Sequence, residues 1–119
     1  MKKDFRIRKR KDFINVSRYG FCFRTSSLVA QCVSNGLGWY RVGFTASKKV
    51  GAAVLRNRCK RRMRAAADVV LKEYGLAGVD YVLIARKSAS DIVWNELLRE
   101  TTSAVRFLNG KIENQSLSK

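Results

Sequence analysis

KKVGAAVLRNRCKRRMR, residues 48–64, is the stretch that decides the fold of this chain. Eight of its seventeen residues are Lys or Arg, and none is acidic. On a helix from about Ala52 to Tyr74, stopped by Gly75, its apolar residues and those that follow fall within one arc of about 100°. That arc holds Leu55, Cys59, Met63, Ala66, Val70 and Tyr74. The stretch therefore predicts a helix that packs through one face and binds through the rest of its surface.

The positive charge is concentrated in the first half of the chain. The 119 residues carry a formal net charge of +16. Residues 1–64 hold 18 Lys and Arg against two acidic residues, whereas residues 65–119 hold seven of each sign. A basic arm at residues 1–11 adds to the surface of the helix. Such a field favours a polyanion, nucleic acid first and an anionic membrane surface second.

Composition disfavours several classes of protein. The chain has no histidine, which excludes Ser-His-Asp and Cys-His nucleophile systems and His-containing zinc sites. Its cysteines, Cys22, Cys32 and Cys59, are widely spaced and odd in number, which argues against a disulfide framework. No apolar run approaches 18 residues, so we expect a cytoplasmic protein without a membrane partner. We expect neither a catalytic residue nor a metal site in the protein itself.

The chain before the basic helix predicts a helix and then strands. Asp12 is the candidate N-cap of a short helix that ends at Gly20. Residues 21–33 alternate as a strand, which Thr25-Ser26-Ser27 interrupts with a bulge or a break into two strands. A turn at residues 34–38 leads to a strand at 39–47. We expect these strands to pair as an antiparallel hairpin.

The chain after the basic helix predicts one more strand and one more helix. Residues 79–85 are apolar on both faces, as in a central strand that is covered on both sides. A last helix at 91–108 should end at Asn109-Gly110. Together the elements predict an α+β sandwich in one domain at residues 1–110, followed by a polar tail at 111–119.

The basic stretch also resembles a known signature. The run Lys48-Lys49-Val50-Gly51-x-Ala53-Val54-x-Arg56-Asn57-Arg58-x-Lys60-Arg61-x-x-Arg64 resembles that of the bacterial ribonuclease P protein subunits, whose "RNR" motif is Arg56-Asn57-Arg58 here. An Arg-rich lead into Asp12-Phe13-x-x-Val16 and the stretch Asp80–Lys87 follow the expected order. The resemblance covers nearly the whole chain.

The resemblance implies a fold and a role. The fold is a small two-layer α-β sandwich with a mixed four-stranded sheet, three helices and a left-handed βαβ crossover. The role is that of a non-catalytic RNA-binding subunit in an endoribonuclease. It pairs with a catalytic RNA that removes the 5′ leader of precursor tRNA, using Mg²⁺ held mainly by the RNA. No obligate protein partner is evident.

The resemblance also implies two sets of binding residues. The surface for the catalytic RNA comprises Lys48, Lys49, Arg56, Asn57, Arg58, Lys60, Arg61, Arg62 and Arg64. A cleft between the first helix and the sheet takes the single-stranded leader, and its wall includes Phe13 and Val16, with Ser17, Gln31 and Tyr40 as further candidates. Members of the family usually carry an aromatic residue where this chain has Ser17, and often one where it has Gln31. Leader stacking is therefore expected to be weaker here, or to depend more on Phe13, Tyr19 or Tyr40.

Two other functions compete with this one. A ribosomal or general single-stranded-RNA protein would bind unrelated RNAs with similar affinity. A self-sufficient nuclease is disfavoured by the absence of histidine and the scarcity of acidic residues.

Overall fold

The computed structural model of the chain describes residues 5–117, with side chains through residue 115, so parts of the predicted arm and tail lie outside the described residues. The described chain forms one four-stranded sheet and three α-helices. The strands are β1 (Phe21–Arg24), β2 (Leu28–Ser34), β3 (Arg41–Thr45) and β4 (Val79–Ala85). The helices are α1 (Arg10–Tyr19), α2 (Ala53–Tyr74) and α3 (Trp94–Leu117), and 3-10 turns occupy Lys48–Val50 and Lys87–Ser90.

Strand β4 lies inside the sheet, as its two apolar faces predict. The strand order is β1-β2-β4-β3, with β4 antiparallel to β2 and parallel to β3. The predicted hairpin between β2 and β3 is therefore wrong. Because β4 is buried on both faces, it lies in the interior of the sheet, where a strand pairs with each of its edges. It therefore separates β2 from β3. The predicted break at residues 25–27 is confirmed, and β1 and β2 pair antiparallel across it.

Helices cover both faces of the sheet unequally. α2 and α3 pack on one face, where Leu28, Cys32 and Tyr81 belong to the main core. The short α1 lies on the opposite face, where Val16 packs with Ile7 and Val82. This is the predicted mixed α+β sandwich. The parallel unit β3-α2-β4 is the one for which the resemblance implies a left-handed crossover.

Helix α2 has the predicted bounds and most of the predicted buried face. Gly75 ends the helix and its N–H donates to Leu71 O. Cys59, Met63, Ala66 and Val70 are buried, but Leu55 is 41% exposed. Leu55 lies against the backbone of Gly51 and does not belong to the core, because the first turn of α2 follows directly on the Lys48–Val50 turn.

The predicted start of α1 and the predicted end of α3 are wrong, whereas α1 ends at Gly20 as predicted. α1 begins at Arg10, and Asp12 does not cap it; the Asp12 carboxylate lies 3.5 Å from Arg41 Nη1. α3 continues beyond Asn109-Gly110 to Leu117. Asn109 is buried and its amide donates to Tyr74 O at 2.7 Å, while Ile112 is only 8% exposed. These buried contacts keep the last turns helical despite the glycine.

A carboxylate of α3 helps to hold the turn between β1 and β2. Glu100 of α3 accepts hydrogen bonds from the backbone N–H and hydroxyl of Ser27 at 3.0 and 2.7 Å, and from the Ser26 hydroxyl at 2.5 Å. Burial raises the pKa of Glu100, but the hydrogen bonds outweigh it and lower that pKa to about 2. The ionised carboxylate therefore joins the edge of the sheet to α3.

We expect Glu100→Gln to lower the free energy of unfolding by about 1 kcal/mol near neutral pH, because the turn loses a charged acceptor. The pKa of Glu100 is lower in the folded chain than its ordinary value of 4.5, so its contribution is complete above that value and disappears as the pH falls toward about 2. Urea titrations at several pH values measure the difference, with Ser103→Ala as an exposed control on the same helix. If the difference in unfolding free energy between the Glu100→Gln variant and the parent chain did not change with pH, the role of Glu100 as an ionised acceptor would be contradicted.

Candidate nucleic-acid interface

The predicted RNA-binding residues share the N-terminal part of α2 and the turn before it. Asn57 and Arg61 are exposed on the outer side of the helix, and Lys48 and Lys49 are exposed in the turn. Arg58 is also exposed, while Arg56, Lys60, Arg62 and Arg64 are half-buried. All nine residues thus lie in one continuous segment, on the preceding turn and on the part of the α2 surface that does not pack in the core.

The entry to α2 lacks the side-chain cap and the acidic residues that usually stabilise the start of a helix. Ser47 accepts the Lys49 N–H and holds the turn, and Gly51 then has φ +139°, a conformation that favours glycine. The helix begins at Ala53, Ala52 before it provides no side-chain cap, and the first turn holds no acidic residue. Free N–H groups at a helix N-terminus attract anions, and the neighbouring cations strengthen that preference.

Two of the five arginines among these nine residues donate hydrogen bonds to the backbone of a distant segment of the protein. Arg58 Nε donates to Ser90 O at 2.6 Å. Arg62 Nη1 donates to Ala89 O at 2.7 Å, and its Nη2 donates to Ile92 O. Both side chains therefore secure the segment between β4 and α3. The helical spacing alone could not separate these arginines from Arg61, because the difference depends on where a distant segment lies.

A stacked pair of arginines extends the basic surface to the arm. The guanidinium groups of Arg6 and Arg64 lie 5.2 and 5.9 Å from the ring centroid of Phe44. Burial, then the charges of Arg64 and Arg8, lower the pKa of Arg6. Within the described part of the chain, the buried Nε atoms of Arg6, Arg56 and Arg64 have no hydrogen-bond partner. A bound phosphate would supply the missing acceptor and counter-charge.

The predicted leader cleft corresponds to a groove between α1 and the sheet. Its volume is about 290 Å³, and it is lined by Arg10, Phe13, Ile14, Ser17, Gln31, Thr45, Val82 and Ile84. Phe13, Ser17 and Gln31 therefore come together as predicted. The Phe13 ring lies so close to Gly43 that a Cβ there would be 2.5 Å from it. Glycine at this position on β3 is what admits the ring.

Two predicted cleft residues have other positions. Val16 is fully buried and anchors α1 beneath the groove. Tyr40 lies on the opposite face of the sheet, beside Gly75, with its ring centroid 5.0 Å from that of Phe5. Prediction by resemblance missed the lining residues Arg10 and Ile14. Their helical spacing to Phe13 and Ser17 is the signal that identifies them.

The described residues carry neither of two other kinds of site. Among residues 5–117, no three or more Asp, Glu or Cys side chains lie close enough together to hold a metal ion. In the same part of the chain, no helix is both long and apolar enough to span a membrane.

Comparison with known proteins identifies the family of the chain. The family model described as ribonuclease P matches residues 1–109. The chain belongs to the ribonuclease P protein family. It is 43% identical over 107 residues to the ribonuclease P protein component of Ruegeria pomeroyi, covering 87% of this chain and 85% of that protein. The protein component of Streptococcus thermophilus is 37% identical over 97 residues, or 82% and 86% of the two chains.

Solved structures of ribonuclease P proteins share the fold. The Staphylococcus aureus protein superposes with a TM-score of 0.74 at 29% identity, over 87% of this chain and 94% of that one. The Thermotoga maritima protein gives 0.69 at 26% identity, with the same two coverages. The expected mixed four-stranded α+β fold is therefore confirmed at the level of the family.

Arg61 and Arg62 are neighbours with opposite expected roles. We expect Arg61→Ala to weaken RNA binding and to reduce the salt dependence of log K by about one unit, without changing the melting temperature. We expect Arg62→Ala to lower the free energy of unfolding by about 1–3 kcal/mol, because the carbonyls of Ala89 and Ile92 lose their donor. Salt-dependent filter binding and thermal unfolding of both variants measure this. Equal melting temperatures for the two variants would contradict the division.

Proposed function

We propose that the chain is the RNA-binding protein subunit of ribonuclease P, which binds the catalytic RNA and the 5′ leader of precursor tRNA together. The catalytic RNA contacts the cationic surface formed by the start of α2 and its preceding turn. The leader lies in the groove between α1 and the sheet. The family match supports this role over that of a general single-stranded-RNA or ribosomal protein.

The cationic surface and the groove lie on different sides of the sheet, and this placement supports the proposal. The cationic helix packs on one face of the sheet, whereas the groove opens on the other. One RNA can therefore occupy the helix while a second, single-stranded segment occupies the groove. The strongly positive chain reduces the repulsion between their phosphates, a contribution that falls with salt.

The chemistry in this proposal belongs to the RNA. The chain has no histidine, and its acidic residues are few and dispersed. Its arginines and lysines bind and orient phosphates, but side chains of these types are protonated near neutral pH and therefore do not act as general bases. Mg²⁺ held mainly by the RNA would supply the activation of water and the neutralisation of charge. A cytoplasmic location fits this role.

Reconstitution tests the role of the subunit. We expect the protein alone to leave precursor tRNA intact, and the protein with its RNA to cleave the 5′ leader at Mg²⁺ concentrations where the RNA alone is poor. A protein that did not lower the Mg²⁺ requirement would contradict the proposal. If an unrelated basic protein stimulated cleavage equally, the stimulation would come from positive charge alone, which would also contradict the proposal.

A gain of function tests the groove. We expect Ser17→Phe to add a stacking surface and to raise the preference for precursor over mature tRNA by about fivefold, or about 1 kcal/mol for part of one base stack. Binding of both tRNAs to the reconstituted complex measures the preference. Asn15→Phe is the matched control, because residue 15 is exposed on the same helix but does not line the groove. An equal gain in both variants would contradict the leader site.

A further inference from the structure

A second basic cavity lies between the N-terminal arm and the loop that precedes β3. It has a volume of about 510 Å³, within the range of roughly 300–1,000 Å³ that is typical of small-molecule sites. Its lining is Arg6, Arg8, Lys9, Lys11, Asp12, Leu37, Trp39 and Arg41. None of the predicted RNA-binding or leader-binding residues is among them, although Arg6 also belongs to the basic surface over Phe44. This Trp39 cavity therefore adjoins the basic surface at Arg6 and is separate from the leader groove.

The lining charge of the Trp39 cavity is available for an anion. Arg41 is committed elsewhere, because it donates two hydrogen bonds to Asp80 at 2.9 and 2.6 Å and lies 3.5 Å from Asp12. Asp12, the only acidic side chain among the described lining residues, is therefore paired with Arg41. Among residues 5–115, the four other cations, at positions 6, 8, 9 and 11, have no carboxylate within ion-pair distance.

The loop that carries Trp39 is held rigidly. Asn35 Oδ1 accepts the Leu37 N–H at 2.7 Å, while Asn35 Nδ2 donates to Trp39 O at 3.3 Å and to Asp80 at 2.8 Å. Trp39 O also accepts the Gly78 N–H at 3.1 Å. The backbone of Trp39 is thus fixed from two sides while 42% of the residue remains exposed. Because the backbone of this loop is already held, little of the loop has to be ordered when a ligand stacks on the exposed indole.

The arm that forms the opposite wall is also anchored. Ile7 is 3% exposed, and its N–H donates to Val42 O at 3.0 Å, so that the arm pairs with the free edge of β3. The basic residues on either side of Ile7 are therefore held beside the tryptophan. A preformed cavity with cations on one wall and an aromatic ring on the other combines the two parts of a single-stranded nucleic-acid site.

We propose that the Trp39 cavity binds a nucleotide of single-stranded RNA, with the base stacked on the indole of Trp39 and the adjoining phosphates on Arg8, Lys9 and Lys11. Stacking uses the face of any base, so the site discriminates little between sequences. The cavity and the leader groove lie on different sides of the start of α1, since Lys9 and Lys11 line one and Arg10 and Phe13 line the other. The protein thus holds a second contact for single-stranded RNA. This goes beyond the proposed leader site, and its test needs the protein alone.

Intrinsic fluorescence tests the stacking directly. The chain has two tryptophans, so Trp94→Phe leaves Trp39 as the single reporter. We expect a short oligo(A) to quench this fluorescence, and an abasic sugar–phosphate oligomer of equal length and charge to leave it nearly unchanged. Equal quenching by both oligomers would overturn the proposal, because only the phosphates would then be recognised.

Matched substitutions test the contribution of the ring to affinity. We expect Trp39→Phe to bind labelled oligo(A) nearly as well as the parent chain. We expect Trp39→Leu to bind it roughly 5- to 150-fold more weakly, the range that stacking of one base on an aromatic ring supplies. Affinity for the abasic oligomer should be the same in both variants, which separates a lost stack from a lost fold. Unchanged affinity of Trp39→Leu for oligo(A), in fluorescence anisotropy at fixed salt, would also overturn the proposal.

Discussion

The structure depends on one constraint: strand β4 must be covered on both faces and at both edges. Its residues Val79, Tyr81 and Leu83 belong to the main core, and Val82 belongs to the core under α1. Pairing with β2 on one side and β3 on the other satisfies its backbone. Because β3 and β4 are parallel neighbours, the chain between them must cross the sheet, and α2 makes that crossing. The basic helix is thereby fixed against one face, and the Lys48–Val50 turn joins its start to the end of β3.

The same arrangement leaves the opposite face half open. The short α1 covers only part of it, so Gln31, Thr45 and Ile84 remain as the floor of the groove. The arm before α1 pairs with β3 through Ile7 and carries its own cations to the sheet edge. Arg6 of the arm and Arg64 of α2 meet over Phe44, where the basic arm and the basic helix join. A small chain can thus present a continuous cationic surface and a separate groove around one sheet.

Local patterns predicted what depends on local sequence. The bounds of α2, the burial of β4 and the break at residues 25–27 follow from apolar periodicity and turn residues, and all three are confirmed. The strand order could not be read in this way, because pairing of β3 with β4 joins segments about forty residues apart. The hydrogen bonds of Arg58 and Arg62 could not be predicted for the same reason, because these side chains acquire their partners only when residues 89–92 reach α2. The resemblance predicted an RNA-binding segment and a leader cleft, but it also placed Tyr40 in that cleft, and the fold turns Tyr40 toward the other face of the sheet.

We propose that one RNA occupies the cationic start of α2 while a different RNA segment occupies the groove. Site-specific photo-crosslinking in the reconstituted complex tests this arrangement, with one probe at position 61 and another at position 17. We expect the probe at 61 to label the catalytic RNA and the probe at 17 to label the leader of precursor tRNA. Labelling of the same RNA from both positions would contradict it.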